Sequence, residues 1–150
     1  MPRAGLLGAC AAIGVILGII GTALHGNIWM LGEVGTLAVV PWGAALGLAL
    51  LLAAQLWAGT TARAMLEPMV MGIAAFTVAT AAYIWPGPDQ LMVPYNELTW
   101  ESLPGPVLAS LIWWGGTAVI TFAAMLLTQG ILAKDDLARR RAEASLDHHP

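Results

Sequence analysis

The sequence predicts an all-α integral membrane protein: four transmembrane helices in an antiparallel bundle, with both the N and C termini cytoplasmic. Three observations lead there. Of the 150 residues, 59% are hydrophobic and only 10% charged, whereas a soluble domain is roughly a quarter charged. So few charges cannot cover a surface in water. The apolar residues fall in four runs, about 4–24, 37–58, 64–85 and 105–132, each near the roughly 20 residues that cross a bilayer. Finally, Arg3, Arg63, Lys134, Arg139, Arg140 and Arg141 all lie on one side of a four-span path, and the segments 25–36 and 86–104 hold no Lys or Arg. Basic segments stay in the cytoplasm, so those two loops face outward.

Each element follows in order. The first run is read as a retained span. As a cleaved signal peptide it would have Gly21 and Ala23 before the cut, but it is about twice the usual apolar length and only Arg3 precedes it. Its lone Cys10 has no partner in the chain and reads as a packing residue. The first outer loop, HGNIWMLGEVGT, is glycine-spaced and carries Glu33. Spans two and three meet at GTTAR, Gly59–Arg63, which is short enough to make them neighbours. The second outer loop, 86–104, belongs to the stretch WPGPDQLMVPYNELTWESLPG. Pro86, Pro88, Pro94, Pro104 and Pro106 forbid a continuous helix through it. Long loops tend to be functional or disordered, and Leu91, Met92, Val93, Tyr95 and Trp100 argue against disorder. Residues 1–132 thus form the membrane domain. Residues 133–150 form a charged cytoplasmic tail, read as a helical extension that frays.

Chemistry is scarce. Ionisable groups at membrane depth are costly and usually functional, and the spans hold almost none. Glu67 opens the third span beside Pro68 and reads as a helix-start carboxylate paired with Arg63 four residues earlier. Gln55 and Gln129 are placed for interhelical hydrogen bonds. Cys-x-x-Cys and H-E-x-x-H patterns are absent. Ser110 has no base partner in its own span, and His148 and His149 alone make no metal site. No metal, no cofactor and no catalytic residue is assigned. A net charge of −3 gives nucleic acid no basic face.

Association is better marked. Gly14 and Gly18, and again Gly43 and Gly47, form GxxxG pairs that let helix backbones approach. Trp29, Trp42, Trp85, Trp100, Trp113 and Trp114 cluster toward the outer side, beyond an ordinary interfacial belt. They suggest an aromatic floor under an acidic lid of Asp89, Glu97 and Glu101. Trp29, Trp85, Asp89, Tyr95, Glu97, Trp100, Glu101, Trp113 and Trp114 are therefore the candidate partner-binding residues.

The segments VPWGAALGLALLLAAQLWAG, YIWPGPDQLMVPYN and LIWWGG resemble a family of small four-span actinobacterial membrane proteins. The resemblance rests on Pro41–Gly43, Pro86–Asp89 and Trp113–Gly116. It implies the four-span architecture and a bacterial cytoplasmic membrane, and it implies no activity. The expectation is a non-catalytic accessory or structural subunit, in contact with lipid and with an integral membrane partner or further copies of itself. The alternatives are an oligomeric small transporter or channel, and an outer-interface enzyme acting on lipid through His25, Glu33, Asp89, Glu97 and Glu101.

Overall fold

A computed structural model of the chain describes residues 3–31, 38–87 and 89–146. Helix α1 spans Arg3–Leu24, strands β1 and β2 span Trp29–Leu31 and Ala38–Val40, and helices α2 and α3 span Trp42–Ala62 and Leu66–Tyr83. A six-residue helix α4, Glu97–Ser102, precedes the 43-residue α5, Pro104–Leu146. The described residues contain four helices long and apolar enough to cross a membrane, the mark of a multi-pass membrane protein. Their outer faces expose Ile16, Ile19, Ile73, Val119, Phe122 and Leu126, which lipid rather than water would cover.

Close approach of backbones builds the bundle. At Gly14 a Cβ would strike the Met71 carbonyl of α3, and at Gly18 it would come within 2.8 Å of the Val78 Cβ. Gly43 lies against the Leu24 carbonyl, and Gly47 has the Trp113 ring 3.0 Å from where its Cβ would stand. In lipid such packing replaces the missing hydrophobic drive between helices. Cys10, Leu51, Ala58, Met71 and Ala75 form one buried cluster, and Ala44, Ala79, Met92 and Trp113 form a second.

Several boundaries differ from the sequence reading. The second span begins at Trp42 rather than 37, because residues 38–40 form β2, paired antiparallel with β1 (Trp29↔Val40, Met30↔Val39, Leu31↔Ala38). Two β-branched valines and Pro41, which keeps the preceding residue out of the helical region, explain that start. Gly105 packs on Ile28 and Val39, seating the hairpin against the first turn of α5. The second span runs on to Ala62 and the third is shorter, Leu66–Tyr83. The helical extension expected after the fourth span is continuous with it: α5 runs unbroken to Leu146, about 65 Å long at 1.5 Å per residue. Nothing breaks it, since no proline follows Pro106 before the C-terminal residue. The long loop also carries order, because Asn96 and Thr99 cap α4 reciprocally: Thr99 N donates to Asn96 Oδ1 (2.9 Å) and Asn96 N to Thr99 Oγ1 (3.0 Å). That is a capping box, with threonine where glutamate is commoner.

Candidate functional site

Two polar assemblies lie inside the bundle, one beneath the long loop and one near Arg63. At the loop end, His25 follows the last residue of α1 and is 5% exposed. Its Nδ1 lies 2.5 Å from the Thr22 carbonyl; a carbonyl only accepts, so Nδ1 carries the proton and Nε2 is left as an acceptor. Ser110 of α5 supplies the donor, its Oγ 3.3 Å from Nε2, and that Oγ accepts the Val93 N–H at 3.0 Å. The chain of bonds therefore runs from α1 through His25 and Ser110 into the loop. Burial pushes the imidazole below its ordinary value, against the opposing pull of the Thr22 carbonyl.

Beside this chain the loop drives Met92 fully into the core against Ala44, Ala79 and Trp113. Trp113 is itself wholly buried and donates from Nε1 to Thr22 Oγ1 at 3.1 Å. Tyr83 OH accepts the Tyr95 N–H at 3.0 Å. A serine bonded to a histidine is half of a hydrolase triad. Here the third member is a backbone carbonyl, the serine is completely buried, and a loop amide already occupies its oxygen. The arrangement clasps the loop to α1 and α5.

The aromatic floor expected under the loop divides into separate contacts. Trp29 meets Trp42 with ring centroids 5.8 Å apart, on the hairpin side. Trp114 stacks on Tyr83 at 5.1 Å and on Phe76 at 6.0 Å, and its Nε1 donates to Thr80 Oγ1. Tyr95 meets Trp100 at 5.9 Å on the outside of the loop, and Trp85 is exposed. The floor divides because Trp113 and Trp114 are consecutive on a helix and point about 100° apart, one into the core and one toward α3. Asp89, Glu97 and Glu101 are exposed, whereas His25 is buried; Glu33 and the His148–His149 pair lie outside the described residues. A groove of about 340 Å³ opens between hairpin and α5, lined by Met30, Val39, Ser102, Leu103, Pro104 and Pro106 among others.

At the other end the expected Arg63–Glu67 pair is replaced. Arg63 takes a left-handed backbone conformation (φ 50°) that ends α2. Its guanidinium meets Asp136 at 2.8 Å and Asp135 at 3.4 Å on α5. The unbroken α5 brings those carboxylates within reach. Glu67 turns inward and is 2% exposed. Gln55, fully buried, donates from Nε2 to the Pro68 carbonyl (3.2 Å) and to Thr121 Oγ1 (2.9 Å), so it ties α2 to both α3 and α5. Gln129 is exposed. Three buried atoms, Gln55 Oε1, Glu67 Oε2 and Thr128 Oγ1, have no hydrogen-bond partner among the described residues.

Sequence reasoning missed Thr22, Thr121 and Thr128, the burial of Met92 against Trp113, and the meeting of His25 with Ser110. Those last two are 85 positions apart, so no local spacing joins them. The α4 cap alone was readable, as Asn-x-x-Thr after a proline. No family model, no curated protein and no solved structure matches the chain.

Proposed function

We propose that the protein is a non-catalytic accessory or structural subunit of the bacterial cytoplasmic membrane, with both termini inside, that binds an integral membrane partner through its spans and its loop end. One observation carries this reading: large apolar side chains stand exposed beyond the ends of the spans. Trp29, Met30 and Leu31 on the hairpin, and Ile84, Trp85, Leu91, Tyr95, Leu98, Trp100 and Leu103 around the loop, are all at least 42% exposed. Contiguous exposed apolar surface marks an interaction site. On α4 these side chains alternate with the exposed carboxylates Glu97 and Glu101. Anionic lipid headgroups would repel those charges, whereas a partner surface with an apolar centre and basic rim complements them.

The test is purification of the tagged full-length chain from its native membrane in mild detergent, with stoichiometry read by mass. One integral partner at fixed ratio, lost on Leu98→Glu and weakened on Trp100→Ala with expression unchanged, supports the reading. Recovery of the chain alone as a single homo-oligomer overturns it. The oligomeric transporter is then the reading to pursue, and burial of Glu67 within the bundle favours it.

A further inference from the structure

We infer that Arg139, Arg140 and Arg141 form a docking surface for anionic phospholipid headgroups where α5 leaves the membrane, independently of the partner-binding reading above. The depth of the triplet follows from the fold. Helix α2 has 21 residues, about 31 Å at 1.5 Å per residue, which matches a hydrocarbon core about 30 Å thick. Its end at Arg63 therefore marks one edge of that core. Arg63 reaches Asp136 at 2.8 Å, so the edge lies near Asp136 on α5. The triplet begins three residues further on, about 5–8 Å along the axis, and the headgroup layer on each face is about 5–7 Å deep. Because α5 is continuous to Leu146, the three residues are held at that height.

Direction and charge select the ligand. Side chains on a helix lean toward its N-terminus, and the N-terminus of α5 lies on the membrane side of the triplet. The arginines therefore lean back onto the headgroups that the helix has just passed. Consecutive residues also point about 100° apart, so the three fan around the helix and meet headgroups on more than one side. Arg139, Arg140 and Arg141 are exposed, and among the described residues no carboxylate pairs with them. Asp135 and Asp136 face Arg63 instead, with Lys134 beside them. Glu143 is the one acid beyond the triplet among the described residues, and it leaves the cluster net positive. A guanidinium stays charged in proteins and pairs bidentately with phosphate. The opposite end of the bundle has no Lys or Arg in residues 25–36 and 86–104 and exposes Glu97 and Glu101, so binding is confined to one leaflet.

Native mass spectrometry of the purified full-length protein tests the surface, from mixed micelles holding phosphatidylglycerol and phosphatidylcholine of matched chains at equal concentration. The expected result is tighter binding of phosphatidylglycerol, each basic residue at a membrane surface contributing about fivefold, equivalent to about 1 kcal/mol. Replacing all three together, Arg139→Gln, Arg140→Gln and Arg141→Gln, should reduce the preference by up to about a hundredfold. Glutamine keeps the helix propensity, and exposed positions tolerate it. Equal binding of the two lipids by the wild-type protein would overturn the proposal. So would a preference that the triple variant retains, which places the lipid elsewhere. Loss of the preference on adding inorganic phosphate at constant ionic strength would also overturn it, making the triplet a site for free anions. Arginine-dependent recovery of a protein partner with no lipid preference would do the same.

Discussion

The two ends of the bundle treat buried polarity in opposite ways. Beneath the loop, Thr22, His25, Ser110 and Trp113 are all buried, and each has a partner for the groups it presents. Near Arg63, Gln55, Glu67 and Thr128 are buried just as deeply, yet each keeps an oxygen with no partner among the described residues. Burying a polar group without a hydrogen bond costs free energy, and in a bilayer there is no bulk water to relieve it. The satisfied end therefore behaves as architecture, holding the loop where its apolar side chains project. The inner end instead carries that cost within its core.

Mutations separate the two ends. The largest effect should come from Trp113→Ala, which removes the biggest buried side chain and leaves Thr22 without its donor; large-to-small core changes of this kind cost about 3–5 kcal/mol. Unfolding of the detergent-solubilised protein measures it, and a loss under about 1 kcal/mol would mean the loop end does not depend on this core. Next comes the clasp. Ser110→Ala strands both the Val93 N–H and His25 Nε2, at about 1–3 kcal/mol. Limited proteolysis should then cut between residues 85 and 103 faster than in the wild type.

The same clasp predicts a pH effect. Burial lowers His25 from its ordinary 6.5, so the unfolded chain binds more protons than the folded one as pH falls through that value. Stability is whole above 6.5 and declines below it, by at most about 1.4 kcal/mol per pH unit. That slope should be absent in His25→Asn, which separates it from the remaining histidines.

At the other end the sign reverses. Thr128→Val deletes a buried hydroxyl that has no partner among the described residues and keeps the volume, so it should stabilise by up to about 1 kcal/mol. A loss comparable to that of Ser110→Ala would erase the contrast between the ends. The smallest effect belongs to the exposed ion pair: Asp136→Asn should cost under about 0.5 kcal/mol, shrinking further at high salt.

Hydropathy made the four spans legible because a bilayer imposes a length, and a length can be counted along a sequence. The boundaries at Pro41 and Leu66 were less legible, since local backbone preference decides them and a run of Val and Leu suits strand and helix alike. Arg63 and Glu67 show why short-range pairing rules fail here. They stand four positions apart, but the left-handed turn at Arg63 puts them on different elements, and α5 delivers two carboxylates from more than seventy residues away. The clasp was hidden for the same reason, as His25 and Ser110 meet only through the fold. Trp113 and Trp114 were recognised as important by type, whereas their directions depended on helix phase.

The link between α2 and α3 has a consequence for how the chain lies in the membrane. Only Arg63, Ala64 and Met65 separate the two helices, and three extended residues reach about 10 Å, far short of a hydrocarbon core about 30 Å thick. The end of α2 and the start of α3 therefore share one face of the membrane. The same short link keeps Gln55 and Pro68 within reach of each other, so the bond between them needs nothing from α5, and Thr121 adds the second partner of the Gln55 amide.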